Sequence, residues 1–109
     1  MKILFIGAGR MGVPIISSWK KGIGQKSIDI HLVEKLEANI NKIKKENIKV
    51  YFYKKIPKKW KGDVIFFAIK PQDFKKVAEE INLNNVLFKN IVSIMAGITT
   101  SKIRSYLKT

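Results

Sequence analysis

Short apolar runs alternate along this chain with stretches in which apolar residues recur every three or four positions. "KILFI" (2–6) is bounded and has no polar face, the pattern of a strand buried on both sides of a parallel sheet. Downstream of Arg10, the residues Met11, Ile15 and Trp19 fall at helical spacing and predict a stripe facing that sheet. Pro14 forfeits only an early hydrogen bond there, and "KKGIGQ" ends the helix at glycine. "IDIHLV" (28–33) predicts a second strand, followed by a helix with Leu36, Ile40 and Ile43 on one face and "KKENI" at its close. "IKVYFY" (48–53) predicts a third strand, and "KKIPKKWKG" an irregular connection with a helical turn.

"DVIFFAI" (63–69) is apolar almost throughout and predicts the fourth strand. Pro71 suits the first turn of the next helix, whose stripe is Phe74, Val77, Ala78 and Ile81. "NIVSIMAG" (90–97) predicts a fifth strand. In "ITTSKIRSYL" Thr99 is placed to cap a last helix, with Ile98 and Ile103 at the positions of a hydrophobic staple. Five apolar strands separated by helical stripes imply right-handed crossovers. The expected class is α/β: a Rossmann-like, doubly wound parallel sheet in one three-layer α/β/α domain spanning 1–109.

Composition narrows the function classes. The 109 residues contain no cysteine and one histidine, His31, which removes disulfide frameworks and Cys/His metal clusters. No apolar run reaches the roughly 18 residues of a membrane span, and the start does not read as a secretory signal, so a cytoplasmic protein without a membrane partner is expected. A net charge of +14 raises nucleic-acid binding as an alternative. Against it, only Arg10 and Arg104 are arginines, and the lysine pairs at 20, 44, 54, 58 and 75 are scattered over all surfaces. No specific nucleic-acid partner is expected. The field would still attract a polyanionic ligand such as a dinucleotide.

"GAGRMG" follows the first strand and opens the first helix, the setting in which G-x-G-x-x-G acquires a mechanism. Gly7 would permit the tight turn, Gly9 would admit a pyrophosphate to the bare backbone, and Gly12 would let the helix pack on the sheet. Helix-start amides and the helix dipole would stabilise the phosphates, with Arg10 adding charge. An acid about 20 residues further on completes the pattern, and Glu34 follows Gly12 by 22 at the end of the second strand. Glu34 would accept the ribose hydroxyls of NAD, whereas Lys35 would favour the 2′-phosphate of NADP; the spacing leaves both open. A bland reading makes the glycines a plain turn and Glu34 a solvated helix-start residue.

Ligands of such sheets sit at the carboxyl ends of the strands, near the switch between the first and fourth. There Ala68 and Ile69 would offer backbone groups, Lys70 a charge and Pro71 a rigid exit, while Ala96 and Gly97 would leave room for a flat ring. His31, Trp19 and Trp60 read as structural, and Ser93, Thr99 and Thr100 as caps or turn formers with no base beside them.

Together, "ILFIGAGRMG", "DVIFFAIKPQDF" and "NIVSIMAGITTSKI" resemble the amino-terminal domain of pyrroline-5-carboxylate reductase, in order and over essentially the whole chain. The resemblance implies hydride transfer from NADPH or NADH to 1-pyrroline-5-carboxylate, giving L-proline. It assigns Ile6, Gly7, Ala8, Gly9, Arg10, Met11 and Gly12 to the pyrophosphate turn and Ala68, Ile69, Lys70 and Pro71 to a second cofactor segment. It sets Met95, Ala96 and Gly97 beside the nicotinamide. No catalytic side chain and no metal ligand is carried over. Pro14 and Met95 depart from the family's usual residues, and lysines in "YKKIPKK" occupy a stretch where the family often has asparagine. The family also continues into a helical domain that dimerises and supplies most of the imino-acid pocket. The expectation is therefore a domain that binds dinucleotide, partners a separate helical domain or a second copy, and has negligible reductase activity unaided. The alternative is a non-catalytic dinucleotide-binding module or remnant.

Overall fold

In the computed structural model the described residues are 1–7, 12, 14–18, 28–46 and 48–107. Strands β1 (Lys2–Ile6), β2 (Asp29–Val33), β3 (Val50–Tyr53), β4 (Val64–Phe67) and β5 (Asn90–Ser93) form one sheet. Its order is β3-β2-β1-β4-β5, and every pairing is parallel. The chain thus builds outward from β1 to β3, then returns to lay β4 on the other side of β1. That reversal is the switch point of a doubly wound sheet.

Both sheet faces are apolar because both are covered. Leu4, Ile6, Val33, Ile65 and Phe67 pack on one face against Phe74, Ala78 and Ile81 of α3 (Phe74–Leu83) and Ile103 of α4 (Thr100–Tyr106). On the other, Ile3, Phe5, Ile30, Leu32 and Phe66 meet Ile43 of α2 (Glu37–Lys45) and Ile16 of α1, in which residues 12 and 14–18 are helical. Three layers result, as the alternation of strands and stripes implies. Met11, Trp19 and the turn "KKGIGQ" lie outside the described residues. None of the helices among the described residues is long and apolar enough to cross a membrane, and no His/Asp/Glu cluster there could hold a metal.

Local chemistry sets the ends. Thr99 Oγ1 accepts the Lys102 amide at 3.1 Å to start α4. α3 closes with Asn85 in the left-handed region (φ 53°), as Val86 N–H donates to Ile81 and Asn85 N–H to Asn82. Three expectations need correction. Leu36 is not on the α2 stripe: it is the extended N-cap, 62% exposed, with only Ile40 and Ile43 buried. β4 and β5 end at Phe67 and Ser93, short of residues 69 and 97, because β1 turns away after Ile6 and the Ser93 hydroxyl takes the Met95 amide at 3.0 Å. The stretch 54–62 contains a tight turn at Lys58–Lys59, with Lys59 at φ 57°, and no helix.

That connection carries Trp60 onto the sheet, where its ring covers Gly62 so closely that a Cβ there would collide with it. His31 lies edge-on to Trp60, stacks on Tyr51 at 4.7 Å and shares a 2.8 Å hydrogen bond between Nδ1 and the Tyr53 hydroxyl. Its place is structural. Burial, and then the Lys2 ammonium, hold the imidazole below its ordinary value, with Asp29 opposing weakly. The unfolded chain therefore takes up a proton as pH falls through about 6.5 while the folded chain resists it. Stability should be complete above that value and decline below it, towards the depressed folded pKa. Urea midpoints measured between about pH 8 and about pH 5 should fall for the native chain and fall less for His31→Gln. Equal slopes would contradict this assignment.

Candidate functional site

The carboxyl edge of the sheet is stitched at one level. One residue beyond each strand, Glu34 N–H donates to Tyr53 O (2.9 Å), Gly7 N–H to Val33 O (2.8 Å), Ala68 N–H to Ile6 O (3.0 Å) and Ile94 N–H to Phe67 O (3.1 Å). Glu34, Gly7, Ala68 and Ile94 consequently form a row across the sheet. At ordinary strand spacing that row is about 14 Å long, the reach of an extended ligand. Its middle, between Gly7 and Ala68, is the switch point.

Gly7 is glycine for two separate reasons. Its φ is +81°, and a Cβ on it would stand 2.8 Å from Ile69 Cγ2 and 3.2 Å from the Ala68 carbonyl. The end of β1 and the exit of β4 therefore approach closely at the switch point. Gly7 N–H is engaged by the sheet, so the donors available to an anion start further along the turn. Ala8, Gly9, Arg10 and Met11 lie outside the described residues; Gly12 is helical and buried, and Ile6 is a sheet residue in the core.

Glu34 is where the spacing puts it but faces inward. It is only 8% exposed. Its Oε2 accepts the Lys35 and Leu36 amides at 2.9 and 3.2 Å, and its Oε1 accepts Asn39 Nδ2 at 3.1 Å. α2 has no side-chain cap at Leu36, and Glu34 satisfies the turn from two residues upstream. The solvated helix-start reading is thereby corrected, since the carboxylate is buried and engaged. Lys35 beside it is exposed, and exposed Glu37 pairs with Lys54 at 2.8 Å.

On the other side of the switch, Ala68 and Ile69 are half-buried, and Lys70 and Pro71 are exposed. Pro71 opens a single 3₁₀ turn, Pro71–Asp73, that runs into α3. Beyond β5, Met95 drops its side chain into the core, so only its main chain faces this edge, whereas Ala96 and Gly97 are exposed. Gly97 has φ +75° with open space around it. The structure thus joins Gly7, Ala68 and Ile69 directly and aligns Glu34 and Ile94 on either side. Asn39, the partner of Glu34, and Ile69, the wall against Gly7, escape a reading by motif; the faint sign of Asn39 is an amide side chain one helical turn after an acid.

Comparison with known proteins fits this geometry. A family model described as "NADP oxidoreductase coenzyme F420-dependent" matches residues 2–97. The chain belongs to that family. It is 34% identical to a pyrroline-5-carboxylate reductase of Staphylococcus haemolyticus over 99% of this chain and 40% of the relative. It is 31% identical to the Staphylococcus epidermidis protein of the same name over 100% of this chain and 41% of that relative. The chain thus spans about 40% of the length of these curated relatives and matches their amino-terminal NAD(P)-binding domain. Two solved structures share the fold. The 1-pyrroline-5-carboxylate reductase of Streptococcus pyogenes aligns with a TM-score of 0.63 and 24% identity over 98% of this chain and 38% of its own. That of Coxiella burnetii aligns with 0.70 and 22%, over 98% and 40%.

Gly7→Ala tests the coupling of β1 to β4 directly. The variant is expected to lose about 1–3 kcal/mol of unfolding free energy in urea, through a strained φ and the contact with Ile69. Unchanged stability would show that the turn tolerates a side chain.

Proposed function

We propose that residues 1–109 form the coenzyme-binding domain of a pyrroline-5-carboxylate reductase-like oxidoreductase. The observation that carries this reading is the left-handed Gly7, pressed against Ala68 and Ile69 at the switch point of the sheet. The pyrophosphate lies on the turn from Ile6 to Gly12, held by main-chain amides beyond Gly7 and by Arg10. Ala68 to Pro71 form the opposing wall, and the main chain of Met95 to Gly97 borders the nicotinamide. The bound coenzyme supplies the hydride; the chain orients it and contributes no acid or base.

Of the two coenzymes, NADP(H) is favoured. Glu34 is engaged by its own turn, and exposed Lys35 adjoins the ribose position. Reduction of a cyclic imine also needs the imine carbon held about 3–3.5 Å from the nicotinamide. We assign that task to residues corresponding to the part of the relatives that this chain does not span, on a helical domain. Dinucleotide binding is the activity this domain carries by itself.

Fluorescence titration with NADPH, comparing the native chain with Gly9→Asp, tests the assignment. A carboxylate at position 9 blocks phosphate approach and adds repulsion, so affinity should fall by at least about tenfold. Equal affinities would remove the pyrophosphate from this turn.

A further inference from the structure

An aromatic stack lies outside the row at the carboxyl edge. The register sets Tyr51 beside His31 and His31 beside Leu4, three residues before Gly7 and about 10 Å along the strand from it. The His31 ring is nearly parallel to those of Tyr51 and Tyr53, at 4.7 and 5.8 Å, and Trp60 meets it edge-on. His31 and Trp60 are buried, but Tyr51, on the outermost strand, is 43% exposed. Residues 48–62 around it hold six lysines and no acid. Two ammonium groups sit against the rings themselves, Lys2 over Trp60 at 5.0 Å and Lys49 over Tyr51 at 5.5 Å. Three nearby acids are already occupied or face inward partners: Asp29 acts on His31, Asp63 takes the Lys2 amide at 2.8 Å, and Glu37 pairs with Lys54 at 2.8 Å.

We propose that Tyr51 and the lysines flanking it bind single-stranded nucleic acid without regard to sequence, an unpaired base stacking on the Tyr51 ring while ammonium groups take the phosphates. Charge complementarity selects a polyanion, and the exposed ring selects its form. Every unpaired base offers a face to stack on, whereas a duplex keeps its bases inside. Reading base edges calls for arginine forks; stacking and phosphate neutralisation need only rings and ammonium groups. The scarcity of arginine therefore bears on sequence specificity alone. The ring is held in advance, because His31 backs it and the Tyr53 hydroxyl fixes His31 through its 2.8 Å bond to Nδ1. Lys49 is exposed, so a base takes its place over the ring and a phosphate takes up its charge.

Fluorescence anisotropy with a labelled oligothymidylate, and with a duplex carrying the same number of phosphates, tests this at low and high salt. The native chain is expected to bind the single strand more tightly than the duplex. Tyr51→Ala should lower single-strand affinity by about tenfold and leave duplex affinity unchanged. Tyr51→Leu keeps an apolar cover on His31 but offers no ring, and should lose affinity in the same way; Tyr51→Phe should stay close to native. Circular dichroism checks that each variant is folded. Replacing Lys49, Lys55 and Lys58 together by Ala should weaken both ligands and flatten their salt dependence. Equal affinity for single strand and duplex, with no effect of Tyr51→Ala or Tyr51→Leu, would show that net charge alone draws the polyanion and overturns the inference. Absence of binding at low salt overturns it as well. Neither result touches the dinucleotide reading, which NADPH titration of the same chain decides separately.

Discussion

The backbone contact at Gly7 is the constraint on which the rest of the molecule turns. β1 is the central strand of the sheet, so its main chain must leave between two neighbours that continue alongside it. It does so with φ at +81°, while its amide closes the ladder to Val33. No Cβ fits, because the carbonyl of Ala68 and the branch of Ile69 already occupy that side. The same few atoms thus end one strand and seat the exit of another.

Much of this architecture is legible in the residues, and the reason is burial on both faces. "KILFI" and "DVIFFAI" carry no polar alternation because α1 and α2 cover one side and α3 and α4 the other. The Phe74, Ala78 and Ile81 stripe is legible for the same reason. Leu36 is misread because helical spacing extends backwards past the true start of α2, where an extended N-cap turns its side chain to solvent. Strand lengths are overread at "AI" and "IMAG". There the apolar residues continue, but the ladder partner has left or a serine hydroxyl has captured the next amide.

The site is legible in position and not in orientation. Spacing from the glycines finds Glu34, and the register of β1 with β2 places it beside Gly7. Its carboxylate accepts two backbone amides and the Asn39 side chain, and no periodicity reports those contacts. Met95 shows the converse. A family resemblance sets it by the nicotinamide, yet an apolar thioether at the edge of a core packs inward. The charge of +14 acts at longer range. Exposed pairs such as Lys54–Glu37 add little to stability, while the summed field attracts polyanions in general.

The central claim is that a dinucleotide lies along the carboxyl row of this sheet, across the switch between β1 and β4. An amide-resolved NMR titration of the chain with NADPH examines that claim residue by residue. The largest shifts should fall at Gly7 and Gly12, at Glu34 to Leu36, at Ala68 and Ile69, and from Ile94 to Gly97. Shifts gathered instead around Tyr51, or along the exposed lysines of α3 with this row silent, would contradict it.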